Sequence, residues 1–189
     1  MTTCRDVILY ALKQAKILAP GSEPEAEEVT DGLVAFQSLL DGWVASGMFG
    51  RLNDRYKSAD YTAQPGERVT APAGVTITIP DTVTDCEEGG SRAPRDLALI
   101  ETIVDGTRTL KIWDRTGWVS LLGLATNDLA PLASRGAWGL AAVLATSGAF
   151  AAMFGGEPSA DVRQAARAFS LALSYKIGST QDPTPIEYC

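Results

Sequence analysis

The chain of 189 residues contains no histidine. This single absence removes the commonest general base, the usual transition-metal ligand, and both the Ser-His-Asp and Cys-His arrangements. Other signatures are missing as well. The sequence has no CxxC, no GxxxxGK[ST] phosphate loop and no GxGxxG. Cysteine is scarce: Cys4, Cys86 and Cys189 are odd in number and far apart. The N-terminal stretch lacks an apolar core flanked by basic residues, so no secretory leader is read there. Reduced thiols in a cytoplasmic compartment are therefore expected. No basic footprint is visible either. The formal charge is −7, spread as −2 over residues 1–57, −4 over 58–122 and −1 over 123–189. A protein that grips duplex DNA normally concentrates Lys and Arg on one face.

Hydrophobic residues make up 46% of the chain, enough to build a substantial core. In the first third they follow helical spacing. Val7, Ile8, Ala11, Leu12, Ala15 and Leu18 lie on one side of a helix that Thr3 and Asp6 cap and Pro20-Gly21 stops. Ser22 and Glu25 form the S-x-x-E pattern of a capping box for a second helix. Its acidic first turn suits the positive end of the helix dipole. Val29, Leu33, Phe36, Leu40 and Trp43 then make an apolar stripe that ends at Gly47.

The periodicity changes between residues 58 and 122. Val75, Ile77 and Ile79 alternate with threonines as in a half-buried strand. "LALIETIV" and "RTLKIWD" flank Asp105-Gly106, a dipeptide suited to a two-residue hairpin turn. Pro65, Pro72, Pro80, Pro94 and Gly89-Gly90 punctuate the rest. The Asp85, Glu87, Glu88 cluster is a candidate for cation binding, although a solvated loop is the reading the base rates favour.

Residues 136–156, "GAWGLAAVLATSGAFAAMFGG", carry no charge over a length that would span a bilayer. Gly, Ser and Thr occupy positions that a membrane helix fills with Leu or Ile, and no Lys/Arg cluster flanks the run. A buried helix is expected instead. It would place Leu140, Val143, Leu144, Phe150 and Phe154 on one side. Ala141, Ala145, Gly148, Ala149 and Ala152 would form a small-residue face against which another helix, of the same or a neighbouring subunit, packs closely. From Pro158 and Ser159 a last helix sets Val162, Ala165, Ala166, Phe169, Leu173 and Ile177 along one face, and Arg163, Arg167, Ser170 and Ser174 along another. The tail "STQDPTPIEYC" has too little apolar area to fold alone. Pro183 and Pro185 favour an extended chain, with Ile186 and Tyr188 as anchors for a partner.

The fold class read from these patterns is α+β. A mainly helical body holds a helical hairpin (1–57) and two C-terminal helices (123–178). It carries a β-rich insertion (58–122) rather than a separate domain, and an extended tail (179–189). No cofactor, no metal and no catalytic residue is implied, and an enzyme is disfavoured. The alternative is a carboxylate-based cell-wall or glycan hydrolase, which needs two acidic residues facing one another across a cleft.

The hairpin also carries a resemblance. "RDVILYALKQAKILAPGSEPEAEEVTDGLVAFQSLLDGWVASGMF" resembles the N-terminal region of tailed-bacteriophage head-to-tail adaptor proteins, the packaged-DNA-stabilisation or tail-accessory proteins of short-tailed phages. The matching elements are Ile17-Leu18, the acidic stretch from Glu23 to Glu28, and Leu39-Leu40-Asp41-Gly42-Trp43 with Gly47. Weaker similarity lies in "RAPRD" at 92–96, in "DLAPLASRGAWGLAAVLA" and in "GGEPSADVRQAARA". The resemblance implies a structural virion protein of the neck, assembled in the bacterial host cytoplasm as a ring, expected to be dodecameric. It implies as partners the portal protein, further copies of the chain, and the next tail component (nozzle, tail tube or stopper). Double-stranded DNA would pass through without sequence-specific binding, and no membrane is involved. The C-terminal tail, with Pro183, Pro185, Ile186 and Tyr188, would dock on the portal.

Overall fold

Side-chain periodicity in the first third does become two helices, α1 (Cys4–Gln14) and α2 (Ala26–Ala45). The computed structural model describes residues 2–84 and 90–180, with backbone only for 175–180. Thr3 and Asp6 close the capping box expected for α1. The Thr3 amide donates to Asp6 Oδ2 (2.8 Å), and the Asp6 amide donates to Thr3 Oγ1 (3.3 Å). The start of α2 differs from the sequence reading. Its N-cap is Glu25, whose amide donates to Glu28 Oε2 (2.8 Å), and not Ser22. A cap at Ser22 would place Glu23 in the first turn directly before Pro24, where the proline ring disfavours helical backbone.

The uncharged run is also not one helix. It forms α3 (Ala137–Ala145) and α4 (Gly148–Phe154), with axes bent by 66°. Two hydroxyls make the break. Thr146 Oγ1 donates to the carbonyl oxygens of Ala142 (2.9 Å) and Val143 (3.1 Å), while Ser147 Oγ accepts the Phe150 amide (3.3 Å) and so caps α4. No single helix among the described residues is long and apolar enough to cross a membrane, and only the bent pair together reaches that length. With α5 (Ala160–Thr180), the described residues after 123 form three α-helices rather than two.

Between the helical segments the described residues form nine short strands: β1 (Asn53–Tyr56), β2 (Tyr61–Thr62), β3 (Glu67–Ala71), β4 (Ile77–Thr78), β5 (Val83–Thr84), β6 (Ser91–Arg92), β7 (Leu99–Val104), β8 (Thr107–Trp113) and β9 (Trp118–Ser120). The first begins before residue 58, where the β-rich region was expected to start. The "GVTITIP" strand is shorter than its alternation suggests, since only Ile77 and Thr78 pair, parallel to β2. The expected hairpin is present. β7 and β8 pair antiparallel around Asp105 (φ 49°) and Gly106 (φ 74°), the two positive φ values that a type I′ turn requires. The main sheet runs β1-β3-β7-β8-β9, with parallel pairing on one side of β7 and antiparallel on the other. The fold is thus α+β.

The described chain divides into two compact units. One is helical, joining the residues up to Met48 to those from Gly123. Its core is α1 packed on α3 and α2 packed on α1 and α4, around Ile8, Leu12, Phe36, Leu40, Leu140 and Phe150. The other, built mainly on Phe49–Leu122, centres on Ala63, Val69 and Ile100, with Tyr61, Ile77, Ile79 and Trp118 packed around them.

Candidate functional site

The titratable groups of the sheet unit are organised as ties between strands. In register, Asp54 (β1), Arg68 (β3) and Glu101 (β7) stand side by side on one face. Arg68 donates from Nε to Glu101 Oε2 (2.6 Å) and from Nη1 to Asp54 Oδ1 (3.1 Å), and Arg108 of β8 donates to the other Glu101 oxygen. Glu101 is only 2% exposed. Burial by itself would raise its pKa. The hydrogen bonds and charges of Arg68 and Arg108 outweigh that and hold the carboxyl below the usual range. A second carboxylate, Glu67, faces the other way on β3. It accepts from Arg55 Nε (3.2 Å), Tyr61 Oη (3.1 Å) and the Gln64 amide (2.9 Å).

These arrangements fasten five strands, and the two buried carboxylates, Glu67 and Glu101, are each engaged by several donors. An acid held below its ordinary pKa donates no proton near neutral pH, and Glu67 and Glu101, one position apart in register, point to opposite faces of the sheet. The pair therefore lacks the facing geometry that glycoside hydrolysis needs. Among the described residues no group of three or more Cys, Asp or Glu is placed to hold a metal ion. Asp85, Glu87 and Glu88 lie outside the described residues. Cys4 is buried, and burial, followed by the charge of Asp128, pushes its thiol up to about 12. Such a thiol is almost entirely protonated near neutral pH and makes a poor nucleophile.

The small-residue face of the sequence reading is divided by the bend. Ala141 and Ala145 are fully buried in α3, the helix against which α1 of the same chain packs. Gly148 and Ala152 are exposed on α4, and Ala149 is half-buried. The remaining predicted positions, Pro183, Pro185, Ile186 and Tyr188, lie outside the described residues.

The close helix approaches occur at three glycines that the sequence reading did not single out. A Cβ on Gly32 would stand 2.4 Å from Ile8 Cγ2, one on Gly139 2.8 Å from the Phe169 ring, and one on Gly156 2.6 Å from the Ala15 carbonyl oxygen. Gly32 and Gly139 are interior to helices, where glycine is otherwise unfavourable. That was the signal available in the sequence.

The last helix is thinly covered. Among its described side chains only Val162, Ala166 and Leu173 are buried. It packs on α3 through Phe169 at Gly139. Beside that contact lies an open groove of about 580 Å³ between α3 and α5, floored by Val143 and Ala166 and edged by Thr146, Arg163, Arg167 and Ser170. The groove combines an aliphatic floor with a guanidinium rim, and the residues that line it include no carboxylate or thiol. No family model matches the sequence, and no curated protein matches it.

Proposed function

We propose that the chain is a structural connector of a tailed-phage virion: one subunit of a ring, dodecameric in the resembled family, that sits at the portal vertex. It joins the portal to the tail, extends the DNA channel and helps retain the packaged genome. The reading rests on the resemblance carried by residues 5–49, which form the α1–α2 hairpin. Its acidic Glu23–Glu28 stretch leads into α2, and Leu39-Leu40-Asp41-Gly42-Trp43 with Gly47 closes it.

Two physical features support the reading. Among the described residues the buried carboxylates Glu67 and Glu101 are tied to arginines across strands, a structural use of charge. The acidic excess is spread along the chain, which suits a conduit through which DNA slides, because a basic lining would hold phosphates in a salt-dependent grip. In this reading the tail with Pro183, Pro185, Ile186 and Tyr188 binds the portal.

The test is to incubate purified protein with purified portal rings and measure the mass of the product. A complex carrying a stoichiometric ring of this chain is expected, and its loss when residues 181–189 are deleted. Absence of any complex with the portal would refute the reading. A monomer in the absence of portal would not, since a ring can require its template.

A further inference from the structure

Two helices of the helical unit present complementary stripes to solvent. On α2, Glu27 and Asp31 are exposed one turn apart, and Val34 follows on the same face, 53% exposed. On α5, Arg163 and Arg167 are exposed one turn apart, and Leu171 follows, 70% exposed. Residues spaced by three or four share a helix face, so each stripe reads charge, charge, aliphatic in the same order. Over seven and eight residue steps the stripes run about 10 and 12 Å at 1.5 Å per residue.

None of the four charged residues forms an ion pair among the described residues. The helices also differ in overall charge: α2 carries four carboxylates and no base, whereas α5 carries Arg163, Arg167 and Lys176 against Asp161 alone. The open groove beside Arg163 and Arg167 exposes an aliphatic floor.

We propose that α5 binds α2 of a second copy of this chain, with Arg163 facing Glu27, Arg167 facing Asp31 and Leu171 packing on Val34. The occupant is argued from charge and order together. An acidic helix of the same sequence carries the matching stripe, and each copy offers one donor stripe and one acceptor stripe. A contact between two different surfaces is heterologous, so it propagates from copy to copy and closes into a ring or extends as a filament. The inference rests on the connector reading for its role there, as the link between neighbours in the ring. The chemistry of the contact itself stands on the two stripes.

The experiment uses the full chain and two surface variants, R163E/R167E and E27K/D31K, with helical content checked by circular dichroism. Native mass and sedimentation are measured against protein concentration and salt. The wild type is expected to self-associate, and less so as salt is raised. Each variant alone opposes like charges and is expected to associate at least about tenfold more weakly. An equimolar mixture restores both contacts, because the reversed α2 of one faces the reversed α5 of the other. It is expected to recover the wild-type association with the two variants alternating. Leu171→Ser supplies a test without charge change, and weaker association with a reduced salt-independent part is expected.

A wild type that stays monomeric at every concentration overturns the proposal. So does a variant that associates like the wild type, or a mixture that fails to recover. Retention of duplex DNA that is lost in R163E/R167E, with self-association unchanged, would assign the stripe to phosphates and likewise overturn it. The connector reading fails on a different result, the absence of a complex with portal, and that result leaves recovery by the mixed variants untouched.

Discussion

Lys16 shows how one residue can end a helix without announcing it. The amide of Ile17 donates to the Leu12 carbonyl oxygen (3.0 Å) and that of Lys16 to Lys13 (3.2 Å), the paired bonds of a Schellman turn, with Lys16 at φ 60°. α2 ends in the same motif, where Met48 donates to Trp43 (3.1 Å) and Gly47 to Val44 (3.0 Å), but there a glycine takes the left-handed position at φ 71°. The second stop is legible in the sequence at Gly47, whereas the first reads as Pro20-Gly21, because a lysine gives no sign of positive φ. A glycine at position 16 removes the Cβ clash, so Lys16→Gly is expected to stabilise the helical unit by about 1 kcal/mol. Urea unfolding of the two proteins checks this, with the midpoint rising and the slope unchanged.

Glu101 carries the second residue-scale prediction. Its carboxyl is held below the ordinary value of 4.5 in the folded chain, so the folded state binds fewer protons than the unfolded state as pH falls through that range. The stabilisation is fully present above the unfolded value and is lost progressively as pH drops below about 4.5 toward the lower folded value. Glu101→Gln leaves Arg68 and Arg108 without their shared acceptor charge. Both arginines are nearly half exposed, which moderates the cost to about 2 kcal/mol near neutral pH. Melting curves taken from pH 7 to pH 3 are expected to show the wild-type advantage shrinking only in the acid part of the range. A constant difference across that range would exclude the linkage.

At the scale of elements, what the sequence conveyed followed from periodicity and turn chemistry. The 3.6-residue stripes of α1, α2 and α5 and the Asp-Gly hairpin are local patterns, and all are present. The parallel pairing of β1, β3 and β7 is not local. It joins strands separated by crossovers, and strands of two to seven residues leave too little alternation to show which pair. The break between α3 and α4 depends on two hydroxyls turning to the backbone, a choice that composition alone does not decide.

Of the candidate site, the arginine face of α5 was visible as a polar stripe. Its relation to Val143 on α3 was not, since that depends on Phe169 seating on Gly139. Helix packing yields a paired prediction at two glycines of α2. Gly32→Ala puts a methyl into Ile8 and is expected to destabilise by about 2 kcal/mol in spite of the better helix propensity. Gly42→Ala meets nothing within 4 Å and is expected to stabilise by about 0.5–1 kcal/mol. Replacing Ile8 by Leu removes the obstructing Cγ2, so a double-mutant cycle of Ile8→Leu with Gly32→Ala should show a positive coupling. Equal effects at the two glycines would mean that the α1–α2 approach is looser than the geometry implies.

Across the whole chain, the two units differ in how sequence is used to build them. The strands of the sheet unit all lie between Phe49 and Leu122, so their pairings close within one segment. The helical unit is discontinuous. α1 packs mainly on α3, and α2 packs as much on α4 as on α1, with α3 and α4 both from beyond Gly123, while the Cys4 amide donates to the Asp128 carbonyl oxygen (2.9 Å). An isolated helix of eleven residues such as α1 is marginal in water, because nucleation is costly and its apolar face is left wet. The consequence is an asymmetry in what can be cut away. A fragment spanning 49–122 is expected to unfold cooperatively on its own, and to show the same acid-range loss on Glu101→Gln as the full chain. Fragments 1–48 and 123–189 are each expected to be largely unstructured alone, and to gain helical circular dichroism at one-to-one stoichiometry when mixed, because Ile8, Leu12 and Phe36 then meet Leu140 and Phe150. If 1–48 instead folds alone, the hairpin is self-sufficient and the residues after Gly123 only decorate it. The mixing result separates these two constructions, since only a core shared between the fragments produces a gain that saturates at equal amounts.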